Sequence, residues 1–264
     1  MARLLTGAAL VALAIGVVWF APLPIFEAVA VALMFVGVEE LVELFRASGV
    51  QVPKWPTVAA ALLTLATFVG TISGRRLPID VTLMAQFIAI ALVVMNTWQG
   101  GGGALAAMSG ALFPSLYLAL PIGSMVAIRE SAGAGPLFLL MVTVIVSDSA
   151  QYYMGRLVGR RPLAATISPK KTVEGAVGGL VCGVLTFVFA GGWWLPVVPA
   201  AMRAVLGFGI VTVGIAGDLF ESMLKRSVGV KDSSALLPGH GGVLDRVDAL
   251  LFAAPFYYVV LKYL

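Results

Sequence analysis

The chain has 264 residues, of which 60% are apolar and only 11% are charged. Soluble globular domains carry about 25% charged residues, so this composition excludes an ordinary soluble protein. The net charge of +4 comes from basic residues in short loops between apolar runs, which favours contact with anionic lipid headgroups or a phosphorylated substrate over contact with nucleic acid.

The apolar runs are long enough to cross a lipid bilayer. A spanning helix needs roughly 20 mostly apolar residues, so we predict an all-α fold, a polytopic membrane bundle of about nine transmembrane helices with short loops. The predicted spans are 4–20, 25–38, 57–73, 80–98, 104–121, 136–154, 173–193, 203–222 and 247–263. With the N-terminus inside, the inside loops hold most of the basic residues, as the positive-inside rule requires.

Two features of the N-terminal half have ordinary explanations. Glu39, Glu40 and Glu43 end the second predicted span, and we interpret them as a solvated helix end at the membrane interface. The glycine run 100–103 is not followed by the Lys-Ser/Thr pair of a phosphate-binding loop, so it is interpreted as a connection between spans.

The polar character increases from Asp148, which lies inside an apolar run. A carboxylate at membrane depth is costly unless it is paired, so Asp148 is a candidate functional residue, with pairing to Arg156 or a hydroxyl as the alternative. Ser168, Lys170 and Lys171 follow, just ahead of the next predicted helix. Basic groups beside a helix N-terminus form an anion site, although a solvated basic loop would show the same pattern.

Charged residues concentrate in the window 217–248, which also contains the single histidine, His240. Asp218, Ser222 and Lys225 occur at i, i+4 and i+7, so a helix would present all three on one face. A lone histidine in a glycine-rich turn is as often a structural hydrogen-bonding group as an acid or base, so both roles stay open for His240.

Two more carboxylates, Asp245 and Asp248, begin the last predicted span and share a helix face. Together with Asp218 they would repel one another without a bound cation or basic neighbours. Oxygen ligands with one histidine and one cysteine favour Mg²⁺ over zinc or a redox metal. Simple ion pairing is the alternative, and its candidate partners are Lys225, Arg226 and Arg246.

These residues carry a resemblance to a known family. Three stretches, SMLKR (222–226), KD (231–232) and PGHGGVLDRVD (238–248), resemble the signature of phosphatidate cytidylyltransferases, also called CDP-diacylglycerol synthases. The loop 148–175, with its SPKKT-x-EG core, is similar to the same family. The first 140 residues match only as a generic set of spans.

The resemblance implies an integral-membrane nucleotidyltransferase that converts phosphatidic acid and CTP to CDP-diacylglycerol and pyrophosphate in phospholipid biosynthesis. It implies Mg²⁺ as cofactor, with room for a second, monovalent cation such as K⁺. We expect a homodimer in a bacterial inner membrane, with the active site facing the cytoplasm and no nucleic-acid partner. Residues 1–140 would supply packing and lipid access, and residues 141–264 would form the catalytic region with two cytoplasmic polar loops.

The residues receive the following roles. The predicted catalytic residues are Asp218, Lys225, Asp245 and Asp248, and the three aspartates among them are the predicted metal ligands. The predicted substrate-binding residues are Asp148, Ser168, Lys170, Lys171, Ser222, Arg226, Lys231, Asp232, His240 and Arg246. A cation-coupled transporter or a different membrane phosphotransferase remains an alternative, although the N-terminal half has no second copy of the charged segment that a transporter with paired repeats would show.

Overall fold

The computed structural model describes residues 2–69, 77–234, 236 and 241–264, with only the backbone of residues 2–10. The chain separates into two compact units. Unit 1 comprises Met1–Ala127 and Ser227–Arg246, and unit 2 comprises Ile128–Arg226 and Val247–Leu264. The predicted division at residue 140 separates a packing region from a catalytic region. Compact units do not test a division by function, so it stays a prediction.

Unit 1 is built from the N-terminal helices. They are α1 (Ala2–Phe20), α2 (Leu23–Ala47), α3 (Lys54–Ala66), α4 (Ile79–Thr97), α5 (Ala104–Pro114) and the start of α6 (Leu120–Ser131). Pro22, Pro53 and Pro78 stand at the N-caps of α2, α3 and α4, where the N–H that proline lacks is not needed. The fully buried side chains of this unit include Met34, Leu41, Leu65, Ile90 and Leu118.

The stretch Ala104–Ser131 remains helical across both of its prolines. Between α5 and α6 lies a π-helical turn, Ser115–Ala119, closed by the N–H of Leu120 donating to the carbonyl of Ser115. Pro114 cannot donate a helical hydrogen bond, and a local π-turn is a common way to accommodate such a gap. Pro114 therefore distorts this predicted span without ending it, and Pro121 lies in the first turn of α6.

Unit 2 holds the C-terminal helices and one hairpin. Its elements after α6 are α7 (Ala134–Val158), β1 (Pro162–Ala164), β2 (Ser168–Thr172), α8 (Val173–Trp194), α9 (Ala200–Ser227) and most of α10 (Leu244–Tyr263). The two strands are antiparallel, with Pro162 opposite Thr172. The all-α prediction missed this hairpin, because strands of 3 and 5 residues are too short for periodicity to separate from a loop.

Glycines let α7 and α8 pack closely. A Cβ atom at Gly175 would lie 2.7 Å from the carbonyl oxygen of Gln151 and 3.2 Å from Cα of Gly155, and one at Gly179 would lie 2.8 Å from the carbonyl oxygen of Ser147. These neighbours are backbone atoms that no side-chain rotation can move. Small residues at four-residue spacing are the usual means of close helix approach in membranes.

Among the described residues, five helical stretches are long and apolar enough to cross a membrane: Ile79–Thr97, Ala104–Ser131, Ala134–Val158, Val173–Trp194 and Ala200–Ser227. The predicted spans 4–20, 25–38 and 247–263 are helical as well, although α2 contains several acidic residues. Of the predicted span 57–73, the 13-residue helix α3 covers only 57–66, and 70–73 lie outside the described residues. A helical membrane bundle is therefore confirmed, whereas the count of about nine spans is not.

The close contact between α7 and α8 generates a stability prediction. Gly175→Ala should lower the melting temperature in detergent, because the added methyl group must separate two backbones, at a cost of about 1–3 kcal/mol. Gly16→Ala is the matched control, since no atom lies within 4 Å of a Cβ at that helical glycine. Equal melting temperatures for the two variants would contradict the packing argument.

Candidate active site

Three aspartates of unit 2, one on each of three helices, form what we call the aspartate cluster: Asp148 on α7, Asp218 on α9 and Asp248 on α10. Asp148 and Asp248 each interact electrostatically with Asp218, and Asp248 also interacts with Asp148. All three residues are partly buried. Since like charges in a poorly solvated place repel one another, the cluster favours a nearby cation.

Gly217 allows α9 and α10 to meet at this cluster. A Cβ atom on Gly217 would lie 2.8 Å from the carbonyl oxygen of Asp248 and 3.0 Å from Cβ of Phe252. Asp148 also borders a narrow cavity between helices that has no room for a water molecule. That cavity is lined by Val144, Ser147, Asp148, Val211, Gly214, Ile215 and Ala249. The mainly apolar lining lowers the local dielectric, which strengthens any interaction of Asp148 with a cation.

Lys171 brings a positive charge to the cluster. Its ammonium group donates to Asp218 in an ion pair, and it also attracts Asp148. Asp148 further accepts a hydrogen bond from Nε2 of Gln151 at 3.0 Å. Arg156 donates to the hydroxyl of Tyr152 instead, so the predicted alternative of an Asp148–Arg156 pair is not what forms. A single ammonium group offsets only part of the charge of three carboxylates.

The hairpin explains how Lys171 is positioned. Thr172 caps α8, because its hydroxyl oxygen accepts from the N–H of Gly175 at 3.1 Å. Oε2 of Glu174 accepts from the backbone N–H groups of Arg160 at 2.9 Å and Arg161 at 3.2 Å, which ties the start of the hairpin to the start of α8. The T-x-E-G part of the motif is thus structural, and the sequence analysis gave Glu174 no role.

The two lysines of the motif have different surroundings. Successive side chains of a strand point to opposite faces, and Lys170 is exposed while Lys171 is partly buried. Ser168 is also partly buried, at the first position of β2. Of the predicted phosphate-binding residues in this loop, Lys171 is therefore the one that reaches the aspartate cluster.

A second ion pair of unit 2 lies on α9. Lys225 pairs with Glu221 one turn earlier, and their exposed fractions are 7% and 1%. Glu221 also interacts electrostatically with Asp248. The sequence analysis assigned Lys225 to catalysis and overlooked Glu221, although Glu and Lys at i, i+4 is a recognisable helical pair. On the same helix, Ser222 is partly buried and Arg226 is exposed.

Unit 1 contains a second polar cluster, centred on Glu40 of α2. This carboxylate is only 5% exposed and accepts hydrogen bonds from residues around the start of α10. The donors are Oγ of Ser234 at 2.7 Å, N of Val243 at 2.9 Å, Oγ of Ser233 at 2.9 Å and N of Leu244 at 2.9 Å. The interpretation of Glu40 as a solvated helix end is therefore wrong.

The neighbouring glutamates behave as predicted. Glu39 pairs with Lys54 at 2.6 Å and Glu43 with Arg46 at 2.6 Å, and all four side chains are partly or largely exposed. The helical periodicity of α2 could have distinguished Glu40, as a residue on the buried side, from Glu39 and Glu43. Glu40 lies three residues after buried Gly37 and one before buried Leu41, on the side of α2 that faces its unit.

Asp245, a predicted metal ligand, takes part in the unit 1 cluster. Its Oδ2 accepts from N and Oγ of Ser233, both at 2.9 Å, and from N of Gly242 at 2.7 Å. Lys231, Asp232 and Arg246 are exposed, and His240 lies outside the described residues. A joint role of Asp245 with Asp218 and Asp248 stays a prediction.

The donor atoms of the aspartate cluster suit a hard cation. They are carboxylate oxygens from separate helices, the ligand type that Mg²⁺ takes in small number alongside water and substrate phosphates. Within the part of the chain that the structure describes, no three acidic, histidine or cysteine side chains form a ready-made metal cage. A Mg²⁺ ion that keeps water and phosphate ligands does not require one.

A comparison with known protein families agrees with the resemblance seen in the signature residues. The model described as "Cytidylyltransferase family" matches residues 1–264. The chain belongs to this family. The resemblance inferred from the signature residues is thereby confirmed, and membership of the cytidylyltransferase family makes the protein a nucleotidyltransferase enzyme.

Curated relatives within the cytidylyltransferase family extend the likeness to the N-terminal helices. A phosphatidate cytidylyltransferase of Mycobacterium bovis is 34% identical over 276 residues, covering 99% of this chain and 90% of that protein. One of Helicobacter pylori is 32% identical, covering 99% and 92%, and one of Synechocystis is 31% identical, covering 89% and 88%. The alignments to these proteins therefore include the first 140 residues.

The ion pair at the aspartate cluster generates a second prediction. Lys171→Ala should lower the melting temperature in Mg²⁺-free detergent solution, because Asp218 is left beside two like charges. Since both partners are partly exposed, we expect a loss of only about 1–3 kcal/mol. Lys170→Ala, on the exposed face of the same strand, should melt like the parent. Equal melting temperatures for Lys171→Ala and Lys170→Ala would contradict the idea that Lys171 offsets the charge of the aspartate cluster.

Proposed function

We propose that the protein is a phosphatidate cytidylyltransferase, which converts phosphatidic acid and CTP to CDP-diacylglycerol and pyrophosphate in phospholipid biosynthesis. The observation that carries the proposal is the aspartate cluster with Lys171 beside it, in a chain of the cytidylyltransferase family. Relatives that cover most of the chain carry this activity in their names. The membrane-spanning helices also suit a substrate with two acyl chains.

The chemistry is a phosphoryl-group transfer between two anions. An oxygen of the phosphatidic acid phosphate forms a bond to the α-phosphorus of CTP, and the bond from that phosphorus to the bridging oxygen of the β-phosphate breaks. The attacking phosphate is already largely dianionic near neutral pH, because its second pKa is about 6. The protein therefore needs no strong general base, and its tasks are to offset negative charge and to align the phosphates.

We propose Asp218 and Asp248 as ligands of Mg²⁺, with Asp148 close to them, and we keep Asp245 as a third ligand from the family signature. Bound Mg²⁺ would offset the charge of the triphosphate and of the leaving pyrophosphate. Lys171 would bind a phosphate oxygen once it leaves Asp218. Because Glu221 already offsets the charge of Lys225, we propose that Lys225 orients a phosphate through hydrogen bonds.

The remaining assignments follow the signature and stay proposals. They are substrate contacts by Ser168, Lys170, Ser222, Arg226, Lys231, Asp232, His240 and Arg246. We also propose about nine spans with the N-terminus inside, in a bacterial inner membrane and with the site facing the cytoplasm. Support for the orientation comes from the basic residues, and the homodimer stays a prediction.

A direct assay tests the proposed reaction and its metal ligands. Purified protein should release pyrophosphate only when phosphatidic acid, CTP and Mg²⁺ are all present. Asp218→Asn and Asp248→Asn keep the side-chain shape but remove charge, so each should lose at least about tenfold in turnover and require more Mg²⁺ for what remains. Absence of release from the parent with all three present would rule out the proposed activity.

Asp80→Asn is the control for these variants, because Asp80 is an exposed acidic residue in the first turn of α4. It should keep the parent's turnover and Mg²⁺ midpoint. Melting temperatures are measured alongside. If Asp218→Asn and Asp248→Asn melt early but retain the parent's Mg²⁺ midpoint and rate per folded molecule, the aspartates are structural and the metal assignment is wrong.

The orientation is tested with single cysteines in a Cys182→Ser background. Leu236 and Val197 are exposed at 56% and 92%, and the proposed topology places them on opposite sides of the membrane. In sealed cells, an impermeant thiol reagent should label Val197→Cys but reach Leu236→Cys only after permeabilisation. Labelling of Leu236→Cys in sealed cells would reverse the orientation.

A further inference from the structure

In the described part of unit 1, a polar contact with several hydrogen bonds joins α2 to the start of α10, far away in sequence. We call the contacts of the Glu40 carboxylate with Ser233, Ser234, Val243 and Leu244 the Glu40 anchor. Each carboxylate oxygen accepts one serine hydroxyl and one backbone N–H. Oε1 receives Ser234 and Val243, and Oε2 receives Ser233 and Leu244. Ser233 has a single hydroxyl proton, and its Oγ also lies 2.9 Å from Oδ2 of Asp245, so this donor is shared between the two carboxylates. A buried charge with three donors of its own and a shared fourth is well satisfied.

The Glu40 anchor caps α10, whose own sequence has no capping side chain at its N-terminus. The first N–H groups of a helix have no partner within the helix, and Ser, Thr, Asp or Asn usually caps them. The residue before α10 is Val243, whose side chain cannot accept a hydrogen bond. Glu40 accepts from the N–H groups of Val243 and Leu244 instead, and its negative charge also suits the positive end of the helix dipole.

The surrounding glycines are fitted to the same contact. A Cβ atom on Gly242 would collide with Oγ of Ser233 and with both carboxylate oxygens of Glu40, so a larger residue there would displace the side chains of the anchor. Gly241 has a φ of +75°, a conformation that favours glycine. Asp245 then closes the turn by accepting from Ser233 and Gly242. Part of the sequence signature is thus shaped around a carboxylate from α2.

We propose that Glu40 is a positioning residue, which holds residues 231–234 and 241–246, including the start of α10, in the arrangement that the reaction requires. The inference rests on the proposed function, because the segment carries the signature residues Lys231, Asp232, Asp245 and Arg246. Glu40 itself touches no reacting atom in this role. It gives the N-terminal helices a part in catalysis beyond packing and lipid access.

Glu40→Gln is the informative change. The amide keeps the size of the side chain but replaces one accepting oxygen by an NH₂ group. Because each oxygen of Glu40 receives one backbone N–H, either orientation of the amide places NH₂ against the N–H of Val243 or Leu244. The serine hydroxyls can rotate to adapt, whereas the backbone N–H groups cannot.

The first measurement is hydrogen exchange of the protein in detergent without substrates. Glu40→Gln should speed exchange of the amides in 241–246 by about tenfold or more, equivalent to at least about 1.4 kcal/mol of local opening. Ser234→Ala removes one donor from the segment side and should speed exchange by about threefold. Glu43→Gln, one turn along α2 and paired at the surface with Arg46, should exchange like the parent.

The second measurement is kcat/KM for CTP in the pyrophosphate assay. We expect losses in the same order, about tenfold for Glu40→Gln, about threefold for Ser234→Ala and none for Glu43→Gln. A role in general stability alone would instead speed exchange throughout α1–α5 and leave the rate per folded molecule unchanged. Should Glu40→Gln fail to fold, Ser234→Ala distinguishes a positioning role of Glu40 from a role in general stability.

The proposal is overturned if exchange in 241–246 stays at the parent's rate in both variants, or if exchange rises while kcat/KM does not fall. Exchange is measured without substrate, so it reports the anchor independently of the reaction. A parent without pyrophosphate release would refute the proposed function, and with it the role of Glu40 in positioning. In that case, faster exchange of the amides in 241–246 in Glu40→Gln would show only that Glu40 caps α10.

Discussion

The burial of charge is the constraint on which the polar parts of this molecule depend. In a chain that is 60% apolar, a carboxylate away from water is costly unless donors or a cation surround it. Glu40 meets this requirement with two backbone N–H groups, the hydroxyl of Ser234 and the hydroxyl of Ser233 that it shares with Asp245. Asp218 meets it with Lys171. The aspartate cluster meets it only in part through Lys171, and this is the reason for proposing a cation there.

The acidic side chains of the aspartate cluster can lie close together because the backbones of their helices pack closely. Gly217 brings α9 to the backbone of Asp248, while Gly175 and Gly179 bring α8 to α7. A larger side chain at Gly217 would separate the helices that carry Asp218 and Asp248, and one at Gly175 or Gly179 would separate α8 from α7, which carries Asp148. In membranes, where helix association depends on packing and hydrogen bonds rather than on the hydrophobic effect, small residues therefore serve the polar site as well as the fold.

Much of the architecture could be predicted from the sequence, because long apolar runs have few alternatives to helices in a bilayer. The helical face shared by Asp218, Ser222 and Lys225 also follows from spacing, and α9 extends through all three. The hairpin before α8 could not be predicted this way. Its strands are held by contacts distant along the chain, such as Glu174 with the N–H groups of Arg160 and Arg161.

The same limit explains why Glu40 was misjudged and what its contacts imply. A carboxylate in the run Glu39, Glu40 and Glu43 resembles a solvated helix end, and its partners lie about two hundred residues later (the separation from Ser233 is 193). Spacing rules describe one helix at a time and carry no information about such a pair. Since Val243 cannot cap α10, this helix, which begins at Leu244, obtains its cap from α2. The N-terminal helices therefore contribute a specific chemical group to the signature segment, which generic apolar spans of equal length would not supply.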